Sequence, residues 1–385
     1  MFILKLLFKN AFRHKLRAWL TVLSVAIAIL AFGMLRAFIG AWYAGVEQSS
    51  ATRLVTRNAV SLIFPLPLSY KDKIRQVEGV STVSWGNWFG GVYIDEKNFF
   101  ANFAVEPRSY LDLYPEYLFN DNEKTAFLRD RKGFAAGRKL AARFGWKIGD
   151  QVTLRGTIFP GNWDFVLRAV YRGRDETTDE TLFMFHWDYL NESLRKTSPR
   201  RADQVGFYMI GVANPEIVPE VAPRVDEMFR NSVAETLTET EKAFQLSFIA
   251  MSQAIITVIR LVSLVIIIII LAVVANTVSM TVRERFGEFA VLKTLGFGVF
   301  HIIGLIVGES VFITLLGCAF GTALTFPVAR ILSHILSAWF PTFRVLPETI
   351  YLNVLAATVV GLLASVVPAW RAVKMRIVDG LRSIA

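Results

Sequence analysis

The sequence predicts a membrane protein with four transmembrane helices and a large α+β extracytoplasmic domain between the first and second of them. The chain of 385 residues is 54% hydrophobic and contains 31 phenylalanines, more apolar side chain than most soluble domains carry. Four apolar runs are long enough to cross about 30 Å of hydrocarbon at about 1.5 Å per residue. Charge is also segregated: residues 46–247 hold 26 Lys+Arg and 27 Asp+Glu, and the rest holds 16 and 5.

The apolar runs are Leu16–Leu35, Leu261–Val282, Ile302–Val328 and Tyr351–Val367. Cations precede the first run, as they do in a secretory signal peptide. However, about 20 residues exceed the usual apolar core of such a peptide, and no small-residue cleavage site follows before Arg36. We therefore expect the first run to be an uncleaved anchor.

Cations predict the orientation of the four spans. They lie in the N-terminal tail, between Arg283 and Lys293, and after the fourth span from Arg371 onward. Because Lys and Arg concentrate on the cytoplasmic side of membrane proteins, we expect both termini to be cytoplasmic. Residues 46–247 and the short loop Pro341–Glu348 are then outside. Since the cations flank apolar runs, they do not indicate a nucleic-acid partner.

Three segments follow from this topology. Residues 1–45 contain an N-terminal interfacial helix and the first span, residues 46–247 form the α+β domain, and residues 248–385 contain the remaining spans and a cytoplasmic tail. In the N-terminal tail a cation recurs every fourth residue, at Lys5, Lys9, Arg13 and Arg17. This spacing is typical of a helix lying along the membrane interface, and also of charges that only set topology.

The middle segment shows alternation and turn signals of a mixed fold. We predict strands at 151–154, 165–171 and 205–212, and helices at 68–77, 135–144 and 219–231. The four histidines are scattered, and Cys318, the single cysteine, lies in an apolar run, so no disulfide or Cys-based metal site can form within this chain. We expect no cofactor bound by this chain.

Two clusters in the middle segment have two interpretations each. The acidic residues at 175–180 could bind a cation, or form a solvated loop, which the missing EF-hand spacing favours. The aromatic residues between 85 and 89 could form an exposed contact surface or part of a core. The clusters consist of Asp175, Glu176, Asp179 and Glu180, and of Trp85, Trp88 and Phe89.

A long helix is predicted to join the middle segment to the second span. No Pro or Gly interrupts residues 239–282, which would extend about 65 Å as one helix. Apolar residues recur at alternating steps of four and three, the pattern of a coiled-coil seam. The helix is either a rigid stalk that carries motion between the external domain and the cytoplasmic side or an amphipathic helix packed on its own domain. The seam residues are Phe244, Phe248, Met251, Ile255, Val258 and Val262.

The third span combines small residues with a carboxylate. Gly317 and Gly321 are four residues apart, a spacing that lets helices approach closely. Glu309 is predicted to lie inside the bilayer, where an ionisable group is a functional candidate by default. A neutral or paired packing role for Glu309 is the alternative.

The segment Arg283–Phe297, RERFGEFAVLKTLGF, separates the second and third spans. Its pattern predicts a short amphipathic helix along the membrane face. Arg285 and Glu288 are one turn apart and can pair, and Gly296 is placed to end the helix in a left-handed conformation.

At these residues the sequence resembles the MacB/FtsX-type permeases of ATP-binding-cassette (ABC) transporters. The most specific motif is RERxxEFAVLKTLG at 283–296. Weaker motifs are NAFRHKLRAWLTVLSVAIAI at 10–29, AAGRKLAARFGWKIGDQVTL at 135–154, GESVFITLLGCAFG at 308–321 and PAWRAVKMRIVDGLR at 368–382.

The resemblance implies a four-span subunit of a bacterial inner membrane with a periplasmic domain. In this family the segment after the second span is a coupling helix that contacts a separate cytoplasmic ABC ATPase, which binds ATP and Mg²⁺. The family dimerises with a second copy or a paralogue, and ATP-driven motion passes to the external domains. By motif position the ATPase contact would be made by Arg285, Glu288, Phe289, Leu292 and Lys293.

The family resemblance leaves three functions open. The first is export or extraction of an amphipathic substrate by such mechanotransmission, with an adaptor or substrate-binding protein as a further partner. The second is regulation of an external cell-wall hydrolase without transport, and the third is a receptor without an ATPase. No G-x-x-x-x-G-K-[ST] motif occurs in the sequence, so ATP hydrolysis would belong to a partner and this chain would be non-catalytic.

Overall fold

The computed structural model describes residues 13–175, 177–336, 340 and 342–375. They form two compact units, each described by itself below. The helical unit contains the chain up to Gly40, Gln253–His334 and the chain from Phe343 onward, and the α+β unit contains Ala41–Ser252 and Ile335–Thr342. Most of the proposed interfacial helix, including Lys5 and Lys9, lies outside the described residues, as does the tail after residue 375.

The helices, in chain order, are α1 (Lys15–Gln48), α2 (Tyr70–Ile74), α3 (Pro107–Leu113), α4 (Asp121–Arg129), α5 (Arg138–Phe144), α6 (Trp187–Thr197), α7 (Val218–Met228), α8 (Glu241–Met251), α9 (Gln253–Glu284), α10 (Phe286–Thr294), α11 (Val299–Ile335) and α12 (Pro347–Lys374). Short 3₁₀ turns lie at Pro199–Arg201 and Pro215–Ile217.

The strands are β1 (Arg53–Asn58), β2 (Leu66–Pro67), β3 (Val80–Trp88), β4 (Gly91–Val92), β5 (Asn102–Val105), β6 (Tyr117–Leu118), β7 (Gly133–Gly137), β8 (Gln151–Gly156), β9 (Gly161–Gly173), β10 (Phe183–His186), β11 (Gln204–Val205), β12 (Phe207–Val212) and β13 (Thr236–Thr240).

Within the described residues, four helices are long and apolar enough to cross a membrane: α1, α9, α11 and α12. The predicted spans lie inside these four helices. Because the hydrogen bonds of a helix are internal, such segments satisfy their backbone groups without water.

Small residues allow the helices of the helical unit to approach closely. A Cβ atom added to Gly317 of α11 would lie 2.6 Å from Cβ of Val25 on α1, and one added to Gly321 would lie 2.5 Å from the Ala26 carbonyl oxygen. A Cβ on Gly361 of α12 would lie 2.5 Å from Oγ1 of Thr314 on α11. Close backbone approach is the usual basis of helix association in a bilayer.

The α+β unit is built on a mixed sheet with the strand order β13-β1-β12-β3-β5-β10-β7-β9-β8-β4, and β6 pairs with β9 beside this path. Most neighbouring strands are antiparallel, but β10 is parallel to β5 and β7 is parallel to β9. The strands β2 and β11 form a separate antiparallel pair. The unit is therefore α+β, as predicted.

Helices cover both faces of the sheet. Because side chains alternate along a strand, Phe183 and Phe185 face one core and Met184 faces the other. In β9 the pairing with β7 skips Arg168, so Leu167 and Ala169 contribute to different cores. Such a bulge adds one unpaired residue and reverses the faces beyond it.

The predicted helix at 135–144 begins later than expected. Residues 133–137 form β7, and α5 covers only Arg138–Phe144. Ala135 and Ala136 favour helix intrinsically, but the sheet buries them completely between β10 and β9. A Cβ on Gly137 would lie 2.0 Å from the Glu180 carbonyl oxygen, so the chain passes very close to its neighbour there. Tertiary pairing outweighs local propensity at these residues.

The other predicted elements lie close to the observed ones. The strand at 205–212 is divided at Gly206 into β11 and β12, and the helices at 68–77 and 219–231 are shorter, as α2 and α7. The strands at 151–154 and 165–171 lie within the longer β8 and β9.

The single helix predicted for 239–282 is corrected by the structure. Glu239 and Thr240 belong to β13, because they pair with Val55 and Leu54 of β1. The Thr240 side chain then accepts from the Ala243 N–H and caps α8. At Ser252 the backbone leaves the helical region, with φ −97° and ψ 8°, and α9 starts at Gln253. Serine has only modest helix preference, so it is a tolerant position for this interruption.

Candidate functional site

The connection between α9 and α11 contains the short helix α10, which ends near Gly296 as the sequence predicts but begins only at Phe286, because Arg283 and Glu284 still belong to α9. Arg285 leaves the helical region after α9, with φ −102° and ψ 12°. Gly296 adopts φ +86°, and the N–H groups of Gly296 and Phe297 bond to the carbonyl oxygens of Lys293 and Leu292. This is the left-handed termination that glycine favours.

Ion pairs attach this connection to the start of α1. Both terminal nitrogens of Arg17 donate to the carboxylate of Glu284, at 2.7 and 2.8 Å. Arg13, two residues before the start of α1, pairs with Glu288 in the first turn of α10. Paired N–H···O bonds to one carboxylate fix direction as well as distance, so the end of α9 and the start of α10 are oriented against α1.

Arg285 continues this set of ion pairs into α11. Its Nε lies 3.0 Å from Glu288, the pair that the sequence predicts, and its Nη1 lies 2.8 Å from Glu309. The side chains of Arg285 and Glu309 are only about a tenth exposed. Glu309 is therefore half of a buried ion pair, the second of the two roles that the sequence leaves open.

The remaining helix, α12, is contacted through Lys293. The Lys293 ammonium donates to the carbonyl oxygens of Ala372, Val373 and Met375, at 3.0, 2.9 and 2.9 Å. The last carbonyl groups of a helix lack internal partners, and a cation there also complements the helix dipole. Through these four sets of contacts α10 and its flanks bind α1, α9, α11 and α12.

The structure corrects the expected contact role of Phe289. Its side chain is fully buried in the helical core, with the Arg285 guanidinium 5.3 Å from the ring centre. Phe289 and Ala290 are both buried because they lie on the side of α10 that the neighbouring helices cover. Of the other four predicted contact residues, which are all partly exposed, Arg285, Glu288 and Lys293 have internal partners and the Leu292 side chain is apolar.

An apolar surface that the sequence did not single out lies at the end of α10. Leu295 is 70% exposed, Val291 and Phe297 are also exposed, and Phe300 follows at the start of α11. Val291 and Leu295 are four residues apart and share a helix face. In the sequence, this surface is indicated only by the apolar pair of Val291 and Leu295, which lies on a different side of the predicted helix from Phe289. We call Val291, Leu295 and Phe297 the apolar tip.

Glu288 remains ionised at neutral pH. Partial burial acts to raise its pKa, but hydrogen bonds from Arg13 and Arg285, together with their charges, hold the pKa below its usual range. A small cavity of about 20 Å³ lies beside the Arg285–Glu309 pair and is also lined by the hydroxyl groups of Thr281 and Ser310. This volume is comparable to that of a single water molecule.

A second polar cluster, which no local sequence pattern indicates, lies in the α+β unit. Arg53, the first residue of β1, donates from Nε to Glu241 at 2.7 Å and pairs with Glu116 at 2.8 Å. Glu241, the first residue of α8, also accepts from the Ser50 N–H and the Tyr114 hydroxyl. Burial and neighbouring negative charge raise the pKa of Tyr114 well above its usual range. The cluster joins the chain that leaves α1 to the chain that leads to α9.

The predicted seam is exposed in part. In the α+β unit, Phe244 packs against the core and against the ring of Phe248, whereas Met251 is exposed. In the helical unit, Ile255 and Val258 are exposed. A role of these residues between two copies stays a prediction.

The aromatic cluster at 85–89 and the acidic cluster at 175–180 have different environments in the structure. Trp85 and Phe89 are core residues, and Trp88 remains partly exposed. Asp175 accepts hydrogen bonds from Thr177 and Thr178, and Glu180 is buried and bonds to Arg138 and the Gly173 N–H. Glu176 lies outside the described residues, and the described ones contain no group of three or more possible metal ligands.

Comparison with known proteins shows similarity to permeases of ABC transporters. Residues 260–377 match the family model described as FtsX-like permease C-terminal. The chain is 23% identical to an uncharacterized ABC transporter permease of Methanocaldococcus jannaschii, over 97% of this chain and 96% of that protein. The extracellular domain of the noncanonic ABC-type transporter YknZ from Gram-positive bacteria covers 49% of this chain and 100% of its own, at 10% identity and a TM-score of 0.36.

The matched residues include most of α9 and the whole of α10, α11 and α12. The family is one of membrane subunits that are generally non-catalytic, and a permease of an ABC transporter implies a cytoplasmic ATPase partner. Residues 260–377 are therefore an FtsX-like permease domain, the chain is similar over nearly its whole length to an ABC transporter permease, and its four long apolar helices indicate a multi-pass membrane protein.

Proposed function

We propose that this chain is the permease subunit through which a separate ATPase drives conformational change of the α+β unit, for export or extraction of an amphipathic substrate. ATP and Mg²⁺ would be bound by the ATPase. The chain would contribute a surface that contacts the ATPase, a rigid connection from that surface to the membrane helices, and an external domain that changes conformation when these helices move.

The observation that carries this proposal is the attachment of α10 to each long helix of the helical unit. Glu288 of α10 pairs with Arg13 just before α1, and Glu284 at the adjoining end of α9 pairs with Arg17 of α1. At the two ends of α10, Arg285 pairs with Glu309 of α11 and Lys293 binds the end of α12. A force applied to a helix held at so many points moves the neighbouring helices with it, because each charge-assisted bond is short and directional.

The charge distribution supports the orientation that the proposal requires. Arg13, Arg17, Arg283 and Lys374 all lie at the same ends of the long helices as α10, where Lys and Arg accumulate on the cytoplasmic side. The α+β unit is inserted between α1 and α9, at their opposite ends. In the proposed orientation α10 would be cytoplasmic and the α+β unit extracytoplasmic.

The contact with the ATPase is proposed to use the apolar tip together with Glu288. Exposed apolar side chains beside a charge are typical of interface hot spots. Leu292 is half-buried beneath the same face. Phe289 would support the contact from inside by fixing the position of α10, and would not touch the partner.

Within the α+β unit, the buried Arg53–Glu241 pair supports transmission of motion. It connects the first residue of β1 to the first residue of α8, and these two segments are continuous in the chain with α1 and with the segment leading to α9. Breaking a buried pair by removing one partner costs about 3–5 kcal/mol. The two chain segments would therefore move together.

Co-purification tests the contact. The full chain would be extracted in detergent with each candidate ABC ATPase of the same cell, and binding compared for the unmodified chain and Leu295→Asp. Loss of an exposed hot-spot side chain and burial of a charge are expected to weaken binding at least about tenfold. Ile63→Asp is the matched control, because Ile63 is an exposed aliphatic residue of the α+β unit.

Equal binding of Leu295→Asp and the unmodified chain would contradict the proposed contact surface. If an ATPase binds through α10 but reconstituted vesicles move no amphipathic substrate, the regulator of an external cell-wall hydrolase replaces the transporter. If no candidate ATPase binds, the coupling role of α10 fails.

A further inference from the structure

A groove of about 830 Å³ opens on the surface of the helical unit between the first turns of α1 and the second half of α9. Its rim is cationic, with Arg13, His14, Lys15 and Arg17, and its wall includes Leu20 of α1 and Val273 of α9. The ion pairs described above use parts of this rim for internal contacts but do not fill the groove.

The dimensions of the groove match one leaflet of a bilayer. Its lining on α1 extends from Lys15 to Ser24, about 14 Å at about 1.5 Å per residue. Half of a hydrocarbon core of about 30 Å is about 15 Å. The cationic rim is at the end of the helices, where headgroups lie, and the apolar wall runs toward the interior of the bilayer.

The wall is compatible with an acyl chain even though it contains hydroxyl groups. Ser24 donates to the Leu20 carbonyl oxygen, Thr21 to that of Arg17, and Thr277 to that of Val273. A hydroxyl group that is bonded to its own helix carries little cost in an apolar environment.

The rim offers donors for an anion. Among the described residues Lys15 has no ion-pair or hydrogen-bond partner, and its side chain is exposed at the groove. Arg13 and Arg17 are paired with Glu288 and Glu284, yet the three permanent cations still exceed the two carboxylates. Arginine has five N–H donors, so each can bond a phosphate without leaving its carboxylate.

We propose that this groove binds an anionic phospholipid, with its phosphate at Lys15 and Arg17 and one acyl chain along Leu20 and Val273. A lipid held there would stabilise the ion pairs that fasten α9 and α10 to α1, because its charge balances the excess of cations. The site adjoins the proposed ATPase contact through the Arg13–Glu288 pair, whereas the apolar tip of that contact lies at the other end of α10.

Native mass spectrometry of the full chain in neutral detergent tests the site. Phosphatidylglycerol and phosphatidylcholine with the same acyl chains would be titrated separately. We expect one phosphatidylglycerol per chain at an affinity at least about tenfold higher than that of phosphatidylcholine, since each nearby cation favours anionic lipid by a factor of about five.

Lys15→Glu reverses one rim charge and is expected to weaken phosphatidylglycerol binding about 30-fold. Arg283→Glu is the matched control, because Arg283 is an exposed cation near the same helix ends that does not line the groove. It should change the affinity less than about threefold. Unchanged thermal unfolding of Lys15→Glu in lipid-free detergent would show that the variant is folded.

Three results would overturn the proposal: equal affinity for the two lipids, equal effects of Lys15→Glu and Arg283→Glu, or displacement of the lipid by millimolar inorganic phosphate. A second copy of the chain is the competing occupant. Ser24→Cys in a Cys318→Ser background would then form a disulfide between copies in membranes, and efficient cross-linking of this kind would also refute the lipid site.

Discussion

Arg285 is expected to be more important for stability than its partner Glu309, although both belong to one ion pair. The pair is 2.8 Å long, and both side chains are about nine-tenths buried. Replacing Glu309 by Gln leaves a carbonyl oxygen near Arg285, and Arg285 also keeps Glu288 at 3.0 Å. The cost should therefore be about 1.5–3 kcal/mol, the value of one hydrogen bond to a charged group.

Replacing Arg285 by Met has a larger expected cost. Glu309 then has no other ion-pair partner among the described residues, and Glu288 retains only Arg13. Removal of one member of a buried pair costs about 3–5 kcal/mol, because the other charge stays in a poorly solvated site. Combining Arg285→Met with Glu309→Gln removes that charge, so the double variant should be less destabilised than the sum of the two by about 1–3 kcal/mol.

Denaturation of the purified full chain in detergent, followed by tryptophan fluorescence, measures these differences. Arg283→Met is the control, since Arg283 is exposed and forms no ion pair within the described residues, and it should change stability by less than about 0.5 kcal/mol. Equal costs for Arg285→Met and Glu309→Gln, or additivity of the two within about 0.5 kcal/mol, would refute the buried-pair reasoning.

Three further outcomes are expected. Gly317→Ala should lower the unfolding temperature by several degrees, because the added Cβ would lie 2.6 Å from Cβ of Val25. Gly304→Ala should be neutral, because no atom lies within 4 Å of the added Cβ. Similar effects of the two variants in thermal scans would argue against close α1–α11 packing. The lowered pKa of Glu288 provides stability that is present above its unfolded pKa of about 4.3 and is lost as pH falls through the lower folded value. The stability difference between the unmodified chain and Glu288→Gln should therefore shrink from pH 6 to pH 3, and a constant difference would exclude this linkage. If the seam pairs two copies, Ile255→Cys should form a disulfide between the copies in membranes. Leu264→Cys is the control and should not form one, although both side chains are 53% exposed. The reverse result would place the interface elsewhere.

Local patterns in the sequence were sufficient for the features that depend on neighbours in the chain. The Arg285–Glu288 pair and the left-handed Gly296 follow from helix spacing and from the freedom of glycine at positive φ. The four long helices follow from the length of the apolar runs. Each of these requires only residues within a few turns of each other.

The predictions that failed depended on which neighbour covers a given face. Phe289 lies on an amphipathic helix, but periodicity does not say whether its face meets a partner or the chain's own core. Ala135 and Ala136 became a strand because β10 and β9 pair on either side of them. The break at Ser252 has no strong local signal, since no Pro or Gly is present there.

By itself, then, the sequence determined the number of spans, the charge asymmetry, the α+β character of the middle segment and the short helix between the second and third spans. Those properties come from composition and periodicity. The tertiary structure alone decided that Glu309 pairs with Arg285, that Lys293 binds the end of α12, and that Arg53 joins Glu241 across 188 residues. These contacts depend on three-dimensional packing, which brings together charges that lie far apart in the chain.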